Sequence, residues 1–105
     1  MSNDGKKGTK RQDNVKVLER TKRPRKYHVV LHNDNYTPRG FVVQVLEEVF
    51  KLPQTTASGI MMMVHTTGKG VIGTYSHEIA VEKSTRSNKL ARGFGFPMTT
   101  STEPA

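Results

Sequence analysis

Residues 27–41, YHVVLHNDNYTPRGF, decide how the rest of the chain is read. Tyr27, Val29 and Leu31 alternate with His28, Val30 and His32, the period-two pattern of a strand with one apolar face. Asn33-Asp34-Asn35 follows where that strand should end, and such a run is ordinarily a turn. Thr37-Pro38 then reads as a helix start, with Thr37 as N-cap and Pro38 in the first helical position. An apolar element that runs into three short polar side chains and then a helix is the place to look for chemistry.

Beyond this stretch, Phe41, Val42, Val45, Leu46, Val49 and Phe50 recur at three- and four-residue spacing, which predicts a helix over residues 41–52 that Pro53 ends. A second helix is expected over residues 55–65, capped by Thr55 or Thr56 and closed near Gly68, with the apolar body Ile60-Met61-Met62-Met63-Val64. Residues 70–75, GVIGTY, read as a strand. Ser76 then caps a third helix that carries Glu78 in its first turn and reaches about Arg92, before Gly93 and Pro97. Its stripe of Ile79, Ala80, Leu90 and Ala91 is thin. Residues 96–102 are the last strand candidate, and residues 101–105 should fray. The order β-α-α-β-α-β predicts an α+β domain: a three-stranded antiparallel sheet with three helices packed on one face. So small a core leaves room for a surface pocket but for no large internal cavity.

Charge is distributed unevenly. Residues 1–26 hold ten Lys or Arg against three acids and carry +7 of the formal +8, so residues 27–105 are close to neutral. With almost no aliphatic residues, the first 26 cannot bury enough surface to offset their ordering entropy, and they read as a disordered basic extension of a domain at residues 27–105. The absence of cysteine excludes disulfides and thiolate metal sites. No run of about 18 apolar residues occurs, and the N-terminus has no apolar signal region, which makes a cytoplasmic location the expectation.

Four histidines offer themselves for catalysis: His28, His32, His65 and His77. None sits in a zinc motif, beside a nucleophile elbow or next to a phosphate loop, so neither an enzyme nor a metal site is expected. His28 and His32 read as exposed strand side chains. The basic extension would attract nucleic acid, and a small nucleic-acid- or ribosome-associated protein is the alternative function, although the folded part has no basic stripe or stacking platform. The other reading joins Asn33-Asp34-Asn35 to residues 61–65. Methionines at helical spacing are more often core than pocket. A methionine-lined pocket, however, adapts to large apolar groups. Asn, Asp and imidazole acceptors beside it would suit the ammonium of a chain's first residue.

VLHNDNYTPRGFVVQVLEEVF, followed about ten residues later by MMMVHTTGKGVIGTYSHEIAVEK, resembles the ClpS family of protease adaptors over residues 26–103, most specifically in NDxYTP and MxxVHxxGK. The resemblance implies a monomeric adaptor, with neither catalytic activity nor cofactor. Such an adaptor binds substrates with a bulky hydrophobic N-terminal residue, Leu, Phe, Tyr or Trp, and delivers them to the ClpA-type unfoldase of the ClpAP protease. It further implies that Asn33, Asp34 and His65 hold the α-amino group. Leu31, Thr37, Arg39, Val42, Met61, Val64 and Met98 are placed in or at the rim of the side-chain pocket. Glu78 and Lys83 dock the unfoldase's N-terminal domain, and the extension engages the unfoldase during delivery. The chain departs from the family's pattern at Asn35, where a second Asp is common, and at Arg39, where Met is common. Ser84 and Ser87 replace residues that are often apolar, which predicts looser packing in the third helix. Departures at Asn35 and Arg39 fit a ClpS2-type paralogue with an altered residue preference.

Overall fold

The computed structural model describes residues 25–105. Apart from its last two residues, the expected disordered extension lies outside them, and Lys26 is already strand. The elements are β1 (Lys26–His32), α1 (Arg39–Glu48), α2 (Gln54–Thr67), β2 (Lys69–Ser76), α3 (His77–Gly93) and β3 (Thr99–Pro104). β1 is the middle strand of an antiparallel sheet ordered β2-β1-β3.

The alternation expected in β1 is what anchors the core. Val29 and Leu31 are buried with Val45, Leu46, Val49 and Phe50 of α1 and its end, Ala57 and Val64 of α2, Ile72 of β2, Ala80 and Ala91 of α3, and Met98. Val30 is buried as well, but it stands outside that cluster, on the face it shares with His28 and His32. Those histidines bond across the strands: His28 Nδ1 lies 2.8 Å from Thr74 Oγ1 and His32 Nε2 lies 2.7 Å from Ser101 Oγ. Pairing shifts between Val29 and Val30, where Gly73 and then Val71 stand opposite, so Ile72 is the extra residue of a bulge and turns into the core.

Several boundaries differ from expectation, each for a local reason. α1 starts one residue later, with Pro38 as the cap residue, its carbonyl accepting from Phe41 and Val42. Thr37 does not cap the helix because its hydroxyl is given to Asp34. The helix stops at Glu48 rather than running to residue 52. Lys51 takes φ 58°, a left-handed residue of the kind that ends helices, and Leu52 N–H reaches back six residues to Leu46 O at 3.3 Å. α2 starts after Pro53, with no side-chain cap from Thr55 or Thr56. Ser76 does cap α3, accepting from Ile79 N–H at 3.5 Å. The C-terminal residues do not fray: β3 pairs with β1 as far as Pro104, and Ala105 N–H donates to Lys26 O at 2.9 Å.

The buried stripe of α3 is Ala80, Ser84, Ser87 and Ala91, whereas Ile79 and Leu90 are partly exposed. The expected looser packing is corrected by a closed polar network. Ser84 Oγ and Thr100 Oγ1 are 2.7 Å apart, and Ser87 Oγ donates to Ser84 O at 3.0 Å. Asn88 brackets the Thr100 backbone, its Nδ2 donating to the carbonyl and its Oδ1 accepting from the amide. Small hydroxyl residues thus let α3 lie close on β3 while their polar atoms find partners.

Candidate functional site

The corner after β1 is built by Asp34. Its Oδ1 accepts from the amides of Tyr36 (2.8 Å) and Thr37 (2.7 Å), and its Oδ2 accepts from the Thr37 hydroxyl (2.9 Å). This is an Asx-type turn closed by a side chain. Burial pushes the Asp34 carboxyl up, but the hydrogen bonds from Thr37 and Tyr36 outweigh it and hold the pKa below the usual value, so the group stays anionic. On the other side, Asn33 N–H donates to Gly68 O at 2.9 Å. Gly68 is at φ 100°, a conformation that costs a side-chain-bearing residue, and its own N–H closes α2 on Val64 O. That one glycine both ends α2 and docks the corner against it.

Between the corner and α2 lies a pocket lined by Leu31, His32, Asn33, Asp34, Asn35, Thr37, Arg39, Val42, Met61, Val64, His65 and Met98, with a cavity of about 180 Å³. For scale, an engineered cavity of roughly 150 Å³ in another protein admits benzene. Buried Leu31, Val64 and Met98 and half-buried Met61 and Val42 supply apolar wall. Met98 is carried there by the link between α3 and β3, which Phe94 and Phe96 pin to Phe41 through ring contacts of 5.4 and 4.8 Å.

The mouth is polar. Asn33, Asn35 and His65 are exposed, and the side-chain amides of both asparagines have no hydrogen-bond partner among the described residues. Arg39, from the first turn of α1, spans the mouth: its Nη2 lies 2.9 Å from His65 Nε2. A guanidinium has only donors, so Nε2 is the acceptor and the ring proton sits on Nδ1.

All ten residues that the family resemblance assigns to the amine clamp or the side-chain pocket line this one cavity. His32 and Asn35 line it too. His32 was expected only as a strand side chain, and its place at the last pairing before the corner is the signal that could have found it. Glu78 and Lys83 lie elsewhere, on α3. Glu78 is exposed in the first turn; Lys83 is half-buried, its Nζ donating to Val49 O at 3.0 Å and lying 5.5 Å from the Tyr75 ring centre. Among the described residues, no three His, Cys, Asp or Glu gather to hold a metal, and no helix is long and apolar enough to cross a membrane.

An apolar hollow with two unpartnered asparagine amides at its mouth, on an α+β scaffold, defines a small binding module. Residues 22–101 match the family model described as ATP-dependent Clp protease adaptor protein ClpS. The adaptor ClpS of Lawsonia intracellularis is 45% identical over 78% of this chain and 75% of that protein. The ClpS 1 adaptor of Rhodopseudomonas palustris is 39% identical over 99% of this chain and 98% of its own length. Agrobacterium tumefaciens ClpS2, solved with L-phenylalaninamide bound, superposes with a TM-score of 0.78 at 40% identity, covering 79% of this chain and all of that one. This chain belongs to the ClpS family of Clp protease adaptors.

Proposed function

We propose that the pocket receives the first residue of a polypeptide, with a large apolar side chain (Leu, Phe, Tyr or Trp) in the hollow and the α-ammonium at the mouth. The observation that carries this is the joining, in one cavity, of the apolar wall of Leu31, Val42, Met61, Val64 and Met98 to the acceptors of Asn33, Asp34 and His65. An α-ammonium has three N–H donors and, with a pKa of about 8, is charged at neutral pH. Asn33 Oδ1 supplies a neutral acceptor, Asp34 the countercharge, and His65 Nε2 a lone pair. Thr37 is held at the pocket's edge by its bond to Asp34, which keeps the corner rigid while a ligand enters. The ligand of the Agrobacterium relative, an amino-acid amide with a benzyl side chain and a free amine, supports the reading by its chemistry.

In this reading the protein works by binding alone. It hands such polypeptides to the N-terminal domain of a ClpA-type unfoldase, docking through the exposed start of α3 at Glu78. Lys83, tied to Val49 O, contributes its alkyl stem and fixes the position of α3. Burying a Phe-sized side chain is worth about 1.5–3 kcal/mol, and each charge-assisted hydrogen bond a similar amount. Less the cost of ordering a free chain end, such sums correspond to micromolar to sub-micromolar affinity.

Fluorescence anisotropy with peptides that begin with Phe, Leu, Tyr, Trp, Ile or Ala tests this directly. Binding restricted to the first four is expected. Equal binding of all six would refute the side-chain pocket.

A further inference from the structure

The hydrogen bond between Arg39 and His65 occupies Nε2, the atom that the proposed function gives to an incoming ammonium. Nε2 has a single in-plane lone pair, and the guanidinium Nη2 already holds it at 2.9 Å. Arg39 must therefore swing away before His65 can serve the chain end, and once displaced it stays near by, on the first turn of α1 at the rim.

Charge then decides where it goes. Asp34 is the one acid in the pocket lining, and its two oxygens already accept three hydrogen bonds from Tyr36 and Thr37. Asn35 beside it is neutral, and Arg39 has no carboxylate partner among the described residues. With a chain end bound, the mouth holds two cations, the ammonium and the guanidinium, against one carboxylate. The surplus positive charge is relieved by an acid that the bound chain brings with it, and the second residue is the one that leaves the pocket past the rim. A guanidinium is well matched to a carboxylate because its planar fork can donate twice.

We propose that Arg39 is a specificity-determining residue: it latches on His65 in the empty pocket and turns to an acidic side chain at the second position of the bound polypeptide. The preferred ligand is thus a bulky hydrophobic first residue followed by Asp or Glu. This rests on the reading of the pocket as a site for a free chain end.

The test is anisotropy with free-amine peptides that begin Phe-Asp, Phe-Ala and Phe-Lys and are otherwise identical, measured on the full chain and on Arg39→Met at low and high salt. For the unmodified protein the order is Asp, then Ala, then Lys, with about a fivefold step between neighbours, the scale of an exposed ion pair. The spread contracts in high salt. In Arg39→Met the preference for Asp disappears and Phe-Ala binds more tightly than before, because His65 is free. The same order and spread in both proteins would overturn the role of Arg39 while leaving the pocket reading intact. If neither protein binds any of the three peptides, the pocket reading fails and this proposal with it.

Discussion

Two clusters of small polar side chains lie near the same end of the β1–β3 pair, and only one of them is open. Where α3 meets β3, Ser84, Ser87, Asn88 and Thr100 spend their hydrogen bonds on one another and are wholly or partly buried. At the corner after β1, Asp34 spends its capacity on holding a turn, while the Asn33 and Asn35 amides face the mouth without partners among the described residues. The residue types are nearly the same. What separates structure from binding is whether acceptors remain unspent beside an apolar hollow. Closed networks rigidify a seam; open ones wait for a ligand.

The contrast breaks most visibly at Asp34. Asp34→Ala removes the countercharge and the turn together, and the affinity for a Phe-initiated peptide should fall about 100-fold by anisotropy, the loss of roughly two charge-assisted bonds. The seam should behave in the opposite way. Thr100→Val leaves the Ser84, Ser87 and Asn88 side chains short of a partner, and urea unfolding should show about 2 kcal/mol of lost stability with peptide affinity unchanged. Acid separates the two regions more gently. Because the folded-state pKa of Asp34 is lowered, its contribution to stability is fully present above the ordinary value of 3.8 and is lost as pH falls through the lower folded value. The stability difference between the protein and Asp34→Asn should therefore hold constant from neutral pH down to about 5 and shrink below 3.8. The smallest effect lies outside both clusters: Lys51→Gly, at φ 58°, should gain about 1 kcal/mol in the same unfolding assay.

The strand alternation of residues 27–32, the helical spacing of Phe41, Val45 and Val49, and the Ser76 cap were all legible, because each follows from a local period or a local bond. Helix ends were less so. Thr37 resembles an N-cap, but Asp34, three residues earlier, takes its hydroxyl, and that competition is settled by the turn rather than by the helix. Lys51 gave no warning of a left-handed ending, since that conformation is normally glycine's. Ser84 and Ser87 read as gaps in an apolar stripe because their partner, Thr100, lies on an element more than a dozen residues away. The pocket residues were nameable from the family resemblance. The contact between Arg39 and His65 was not, because it joins two helices that no local pattern relates.

The central claim is that the pocket reads a free, charged chain end together with a large side chain. Backbone amide chemical shifts of the labelled protein, followed through titrations with L-phenylalaninamide and with its N-acetylated form, test it most directly. Saturable shifts at Asn33, Asp34, Met61, Val64 and His65 with the free amine, and none with the acetylated compound at the same concentration, are the predicted result. Shifts of equal size with both compounds, or shifts confined to residues away from this pocket, would contradict it.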